Sequence, residues 1–157
     1  MEFEAPTPDY FTKLLQKLIM DVKGSLTITY QGMEIDFSKF NYIVDSLDTI
    51  STKIALIVKA KNENVSLISA MGAGNHYDPS QFKVMDLAKT INDPVAKVLR
   101  RELKKYNITH QKVVCSIEQP LNSVIEENGR HAPASNAFTP SSAGLLIASE
   151  VIKDIIK

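Results

Sequence analysis

Two acidic residues, Asp45 and Asp48, lie where a strand is predicted to end and a helix to begin. The apolar run at 40–45 is typical of a buried parallel strand, and the next helix is predicted to begin at Thr49. Ligands of open α/β sheets bind beyond the carboxyl ends of the strands. A carboxylate there can hold Mg²⁺ together with water and nucleotide phosphates. A plain role as a helix cap fits the same two residues, and both interpretations stay open.

A glycine-containing loop, Met71-Gly-Ala-Gly-Asn75, follows the next predicted strand. Two glycines allow the backbone to come close to a ligand, and they equally permit a tight turn. The spacing is not the Gly-x-Gly-x-x-Gly fingerprint of a dinucleotide site, and the chain contains no phosphate-binding loop. Gly72 and Gly74 are therefore candidate ligand-binding positions, but their spacing does not identify a ligand.

A basic surface is predicted on the helix that begins at Asp93-Pro94. Such a surface can contact RNA phosphates or simply be solvated. The 157 residues carry 18 basic and 18 acidic side chains, so the overall charge favours neither nucleic acid nor a membrane. The basic residues opposite the apolar stripe of this helix are Lys97, Arg100, Arg101, Lys104 and Lys105.

Cysteine and histidine offer little chemistry here. The single cysteine, Cys115, excludes an internal disulfide framework and a cysteine-rich zinc site. It lies in an apolar run, which favours a buried structural thiol over a nucleophile. The histidines, His76, His110 and His131, do not show metal-ligand spacing.

The elements that must position these residues are those of an α/β protein. At the N-terminus the pattern predicts a helix from Thr7-Pro8 to Gly24, then a β-hairpin over 26–37 turning at Gln31-Gly32. Strand 40–45, helix 49–61 and strand 65–71 form a predicted βαβ unit. We also expect a strand over 81–86, a helix from Asp93 and a strand over 112–115.

The C-terminal part is predicted to be a loop followed by one helix. Residues 118–134 are polar and contain Asn128-Gly129, which favours a long loop. The last helix is expected to begin at a Ser141 or Ser142 cap. Its predicted inward face consists of Leu145, Ala148, Ile152 and Ile155.

Residues 1–38 resemble a segment of the catalytic domain of bacterial class II lysyl-tRNA synthetases. The likeness rests on Met1-Glu2-Phe3, the predicted helix and Gly32-Met-Glu-Ile-Asp-Phe37. The signature motifs of class II synthetases, including the arginine that contacts ATP, do not occur in this chain. The resemblance therefore implies a packing unit of helix and hairpin without synthetase activity.

Residues 39–157 contain several phrases that together point to one family: 42–53 (Tyr-Ile-Val-Asp-Ser-Leu-Asp-Thr-Ile-Ser-Thr-Lys), 71–75, Asp78-Pro79, 82–90, Asp93-Pro94 and Ser135-Asn-Ala-Phe138. They resemble the C-terminal half of tRNA threonylcarbamoyladenosine dehydratases, which belong to the ThiF/MoeB-type adenylating superfamily. The resemblance implies a partial Rossmann-type sheet with flanking helices. It also implies a cytoplasmic, homodimeric enzyme that uses ATP to activate a carboxylate on tRNA and close it into a ring.

The resemblance also implies roles for individual residues. Asp48 matches the acidic residue that lies at the ATP site of the superfamily and helps to place Mg²⁺. Lys53 matches a basic position just after it, and Gly72 and Gly74 match a loop near the ligand. We assign no catalytic residue.

The chain departs from the superfamily at the nucleotide loop. In those enzymes the glycine-rich loop lies in the N-terminal half, whereas residues 1–38 here are of the synthetase-like type. We therefore expect two domains, 1–38 and 39–157, in a truncated or chimeric relative with an incomplete ATP site. The alternative is a non-catalytic module for dimerisation or tRNA contact. We expect neither a membrane nor DNA as partner. The longest apolar run, Ile54–Val58, is too short to cross a bilayer, and no signal peptide is evident.

Overall fold

A computed structural model describes residues 29–30, 33–121, 124–127 and 130–156 of the chain. The predicted helix between Thr7 and Gly24 lies outside these residues. The described helices are α1 (Ile50–Asn62), α2 (Pro94–Leu103) and α3 (Thr139–Ile155). The described strands are β1 (Thr29–Tyr30), β2 (Met33–Glu34), β3 (Tyr42–Asp45), β4 (Ser66–Ala70), β5 (Phe82–Asp86), β6 (Lys112–Ser116), β7 (Val124–Glu127) and β8 (Arg130–Pro133). Short 3₁₀ turns occupy Phe37–Lys39, Pro79–Gln81, Leu87–Lys89 and Lys104–Tyr106.

A four-stranded mixed sheet forms the centre of the described fold, in the order β3-β4-β6-β5. β3, β4 and β6 are parallel, and β5 pairs antiparallel with β6. The parallel pair β3 and β4 is joined by α1, as the predicted βαβ unit requires. Their carboxyl ends, at Asp45 and Ser69, are directly opposite each other in the ladder.

Helices cover both faces of this sheet because its strands alternate their apolar side chains. Leu67 and Val113 point to the face covered by α1 and α2, in a core that also holds Ile57 and Leu99. Ile68 and its neighbours point to the other face, which α3 covers. Full burial of such branched side chains contributes about 1.5–3 kcal/mol each, so both layers stabilise the sheet.

The described residues contain two β-hairpins, of which one was predicted from the sequence and the other was not. β1 and β2 pair antiparallel with Tyr30 opposite Met33, which confirms the predicted hairpin for these short strands. Its second strand is shorter than predicted, because β2 ends at Glu34 and Phe37 begins a 3₁₀ turn. The expectation of a plain loop over 118–134 is wrong, because β7 and β8 pair antiparallel there. In this second hairpin Glu127 lies opposite Arg130, and Val124 lies opposite Pro133.

The predicted cap and inward face of α3 are both wrong. α3 begins at Thr139, and the Asn136 side chain accepts hydrogen bonds from the Thr139 and Phe138 backbones at 2.9 and 2.8 Å. Ala143 and Ile147 face the sheet. The residues predicted to face inward instead form an exposed apolar stripe, with Leu145 at 73% and Ile152 and Ile155 at 59% exposure. Among the described helices, none has the length and apolar character that crossing a bilayer requires.

Candidate functional site

A buried carboxylate closes the carboxyl end of β3. Asp45 is fully buried and accepts hydrogen bonds from Ser69 Oγ at 2.7 Å and from the Leu47 backbone at 3.1 Å. The Lys53 ammonium lies 3.1 Å from the same carboxylate and donates to the Ala70 carbonyl at 2.7 Å. This carboxyl-end cluster therefore ties β3, β4 and α1 together.

In this cluster Asp45 and Lys53 have structural roles, which differ from the ligand-binding roles considered for them from the sequence. Asp45 is engaged on all sides by its own chain, so it acts as a structural anchor and not as a cap of α1. Lys53, matched to a basic position of the ATP site, has a side chain that is only 3% exposed. It lies behind the site and positions the strand ends. Ser69 was missed, although its register opposite Asp45 could have indicated it.

Asp48 has the opposite environment. It is exposed, and it forms no hydrogen bond or ion pair with any part of the chain that the structure describes. The N-cap of α1, Thr49, makes no side-chain capping bond either. The first N–H groups of a helix carry partial positive charge and suit phosphate oxygens.

These residues fit a magnesium nucleotide. An exposed carboxylate beside a helix N-terminus can hold a hydrated Mg²⁺ ion while the helix faces the phosphates. Within the described ranges there is no group of three or more His, Cys, Asp or Glu side chains that could hold a metal by itself. Magnesium at Asp48 would therefore share its coordination with water and phosphate oxygens.

The glycine loop lies at the same edge of the sheet, since it follows β4 directly. The Gly72 N–H donates to Asp93 Oδ2 at 3.2 Å, and Asp93 Oδ1 accepts from Ala96 at the start of α2. Neither Gly72 nor Gly74 has a left-handed backbone, so a turn conformation does not require them. At Gly74 an added Cβ would lie 2.7 Å from Pro133 Cβ, which means that the close approach of β8 requires this glycine.

Several polar residues that sequence reasoning missed fix the remainder of this loop. Asn75, with a φ of 60°, accepts from the Ala134 backbone N–H through its side chain and donates its own N–H to the Ala134 carbonyl, both at 2.7 Å. Glu118 accepts the N–H groups of Tyr77 and Asp78 at 3.0 and 3.2 Å. The loop therefore has a defined backbone that is held from both sides.

His76, to which the sequence assigned no role, is buried inside this loop. Its Nδ1 lies 3.5 Å from Glu118 Oε2 without a hydrogen bond, and its ring packs edge-on against Phe82 at 5.8 Å. Cys115 is also fully buried, and burial raises the pKa of its thiol to about 12. A thiol of that kind stays protonated at neutral pH, which favours the structural interpretation over the nucleophilic one.

The five basic residues predicted to contact RNA lie on α2 and on the 3₁₀ turn at Lys104–Tyr106, and one of them turns inward. The Arg100 guanidinium turns inward, donating to the Thr90 carbonyl at 3.0 Å and contacting the Thr90 hydroxyl. Arg101 and Lys105 are exposed and both pair with Glu102 on the helix surface. Lys97 and Lys104 are exposed as well. Four of the five predicted RNA-contact residues thus remain on the outer surface.

A second polar cluster lies at the amino ends of the strands. The Lys112 ammonium lies 2.9 Å from Glu150 and 2.5 Å from Asp154, and the Tyr42 hydroxyl donates to Asp154 at 2.7 Å. This amino-end cluster borders a cleft of about 520 Å³. Burial, followed by the hydrogen bond to Asp154, raises the pKa of the Tyr42 phenol.

Comparison with known proteins identifies relatives for most of the chain. It is 39% identical over 132 residues to the tRNA threonylcarbamoyladenosine dehydratase of Bacillus subtilis, covering 74% of this chain and 51% of that protein. It is 43% identical over 65 residues to the Escherichia coli enzyme of the same name, covering 41% of this chain and 24% of that one. No protein-family model matches.

Solved structures agree with the sequence relatives. The E. coli dehydratase in complex with AMP superimposes with a TM-score of 0.67 at 28% identity, over 74% of this chain and 49% of that chain. The homologues and structural neighbours of this chain are tRNA threonylcarbamoyladenosine dehydratases. The same enzyme has also been solved with ATP, with a TM-score of 0.64 at 28% identity over 74% of this chain and 48% of that one.

This result confirms the predicted fold class and the resemblance of the larger part of the chain. The mixed sheet with flanking helices matches the Rossmann-like fold of the dehydratase. The chain spans about half the length of the B. subtilis dehydratase and of the solved E. coli chain. The comparisons do not show the likeness of residues 1–38 to lysyl-tRNA synthetases, and that likeness remains a prediction.

Proposed function

We propose that this chain forms the C-terminal half of a dehydratase-type adenylating domain, and that Asp48 and the N-terminus of α1 form its side of a Mg-ATP site. The observation that carries the proposal is the exposed Asp48 beside an uncapped helix N-terminus, at the carboxyl ends of two parallel strands. The dehydratase relatives, one of them solved with ATP, support the nucleotide. The reaction class is ATP-dependent activation of a carboxylate on tRNA, followed by ring closure.

The chemistry follows from the weakness of a carboxylate as an electrophile. Bound ATP supplies an adenylate leaving group, which makes that carbon open to attack. The residues of this chain bind and orient: Asp48 holds the cation, the N–H groups of α1 face the phosphates, and the Asp45–Lys53 pair fixes both strand ends. The glycine-rich loop of the superfamily is not in this sequence, so we propose that the chain alone binds nucleotide without completing the reaction.

Calorimetry with Mg-ATP tests the nucleotide site on protein that circular dichroism shows to be folded. Asp48→Ala is expected to weaken binding about 10- to 150-fold, because a charge-assisted contact contributes about 1.5–3 kcal/mol. Asp36→Ala removes another exposed carboxylate, next to the 3₁₀ turn at Phe37–Lys39, and is the matched control. Equal affinity of the Asp48→Ala variant and the wild type would show that the site is wrong.

ATP–pyrophosphate exchange tests whether the site is complete. We expect no exchange by the purified chain, because the phosphates lack their usual glycine-rich cradle. Exchange above the level of an Asp48→Ala control would overturn the incomplete-site proposal and make the chain an autonomous adenylating enzyme.

We propose tRNA as the macromolecular partner, bound through the four exposed basic residues of α2 and of the 3₁₀ turn that follows it: Lys97, Arg101, Lys104 and Lys105. Arg101→Glu is expected to lower tRNA affinity and to reduce the slope of log affinity against log salt by about 1, as the loss of a phosphate contact does. Lys39→Glu changes the same charge on a different exposed element and is the control. An unchanged salt slope in the Arg101→Glu variant would remove α2 from the tRNA surface.

We further propose that the chain acts in the cytoplasm as a homodimer, as the dehydratase resemblance implies. The exposed stripe of α3 supports self-association, because Leu145, Ala148, Ile152 and Ile155 follow a heptad-like spacing that suits a facing helix. Sedimentation of wild type and Ile152→Ser tests this part. A monomeric wild type would contradict it, as would a dimer that the substitution leaves intact. If Mg-ATP does not bind at all, the alternative of a tRNA or dimerisation module is favoured.

A further inference from the structure

Two aromatic side chains stand exposed beside the glycine loop, where burial would be the ordinary outcome. The Tyr77 side chain is 76% exposed and that of Phe138 is 69% exposed. Both are among the more exposed large apolar side chains of the described residues, and Leu121, at 50%, lies next to the same loop. Grouped exposed apolar side chains of this kind mark contact sites for ligands or partners.

One amide side chain connects the backbones on which the two rings stand. Asn136 Nδ2 donates to the carbonyl of His76, the residue before Tyr77, at 3.1 Å. Asn136 Oδ1 accepts the Phe138 N–H at 2.8 Å. The Thr139 hydroxyl, one residue further on, donates to the Ala73 carbonyl at 3.4 Å. The segments that carry Tyr77 and Phe138 are therefore held together at one edge of the sheet.

The backbone of this aromatic pair is fixed before any ligand arrives. The Tyr77 N–H is held by Glu118, and the preceding Asn75 is bonded to Ala134 and to the Leu121 backbone. An aromatic ring on a fixed backbone has only two side-chain torsions to restrict on binding. The entropy cost of placing a flat ligand on it is therefore small.

The charges around the pair decide what kind of ligand fits. Glu118 and Asp78 lie beside Tyr77, and both accept hydrogen bonds from backbone N–H groups of the same loop. Negative charge at this point disfavours a phosphate but leaves the uncharged face of a base unaffected. The phosphate-binding surface is then the basic side of α2, whose first turn is joined to the glycine loop through Asp93.

We propose that Tyr77 and Phe138 form a stacking platform for unpaired bases of tRNA, next to the carboxyl-end edge at which the nucleotide site is placed. This inference rests on the proposed function, because that function requires a modified adenosine of tRNA to reach ATP. A base must leave its stack before its substituent can enter an active site, and aromatic rings commonly receive such bases. The platform holds the unstacked base by ring stacking, an interaction that does not depend on which base is bound.

The test uses the full chain and a single-stranded oligoadenylate that contains one 2-aminopurine, whose fluorescence falls on stacking. Tyr77→Leu and Phe138→Leu are each expected to weaken binding at least about fivefold, since base stacking on an aromatic ring contributes that much or more. Tyr77→Phe keeps the ring and is expected to bind as the wild type does. Phe40→Leu removes another exposed aromatic ring, which precedes β3 at the opposite end of the strand, and is the matched control.

The outcomes separate this inference from the function on which it rests. The salt slope is expected to stay unchanged in the two leucine variants of the platform, Tyr77→Leu and Phe138→Leu, whereas Arg101→Glu lowers it. Wild-type binding that responds to Arg101→Glu but not to the leucine variants overturns the platform alone. A wild type that binds neither oligoadenylate nor tRNA overturns both. Leucine variants that change the sedimentation coefficient without changing RNA affinity show that the rings contact protein, and the proposal is then wrong.

Discussion

The two polar clusters lie at opposite ends of the central sheet and differ mainly in burial. The carboxyl-end cluster pairs one lysine with one aspartate, Lys53 with Asp45, and both side chains are almost completely enclosed. The amino-end cluster sets Lys112 between two carboxylates and is open to a cleft, with the lysine side chain 34% exposed. Breaking an enclosed pair leaves a charge that water cannot reach, whereas breaking an open one leaves a charge that water solvates. We therefore expect the stability of the fold to depend more strongly on the carboxyl-end cluster than on the amino-end cluster.

The largest expected effect follows from removing one partner of the enclosed pair. Lys53→Met should lower the free energy of unfolding by about 3–5 kcal/mol, because Asp45 would remain charged and buried. Urea denaturation measures this change. The double variant Asp45→Asn, Lys53→Met removes both charges and should recover most of the loss. A single variant as stable as the wild type would contradict the difference between the two clusters.

The corresponding change at the amino-end cluster should cost much less. Lys112→Met is expected to lower the free energy of unfolding by about 1 kcal/mol, since solvent screens a partly exposed ion pair. Most of that loss should disappear at about 1 M salt, where the screening length falls to about 3 Å. A loss as large as that of Lys53→Met, or one that salt does not change, would show that this cluster is also closed to water.

The smallest expected effect is confined to alkaline pH and concerns Tyr42. Its pKa is raised above the usual value of 10.0 in the folded state, so the folded chain holds the phenolic proton more tightly than the unfolded chain does. The stabilisation is therefore complete below about pH 10 and is lost as the pH rises beyond that value. Tyr42→Phe should lack this part of the alkaline decline in urea titrations. Identical pH profiles for the variant and the wild type would contradict the assignment.

The sequence predicts the central elements well because their patterns allow one interpretation. The apolar run at 40–45 contains β3, and the predicted helix after Thr49 and the Asp93-Pro94 start of α2 also agree with the structure. In α2 the side chain of Asp93 accepts from Ala96, the geometry that such a cap requires. Asp48 was placed correctly at a strand end, although only the structure distinguishes it from the buried Asp45.

Helix α3 shows where periodicity fails. Its sequence is apolar on two sides, so the heptad-like set beginning at Leu145 and the set formed by Ala143 and Ile147 both satisfy helical spacing. Only the positions of the neighbouring strands decide which set is buried, and residue spacing does not contain that information. The hairpin of β7 and β8 was missed for a related reason, because its strands are short and polar.

The contact between Gly74 and Pro133 also restricts which substitutions the chain can accept during evolution. A substitution that enlarges residue 74 alone would push the β7–β8 hairpin away, because the new Cβ would overlap Pro133. The atom it would overlap at 2.7 Å is the Cβ of Pro133, which only glycine lacks, so glycine at 133 would have to arise first. Although the two positions are far apart along the chain, substitutions at residue 74 are therefore expected to depend on an earlier substitution at residue 133.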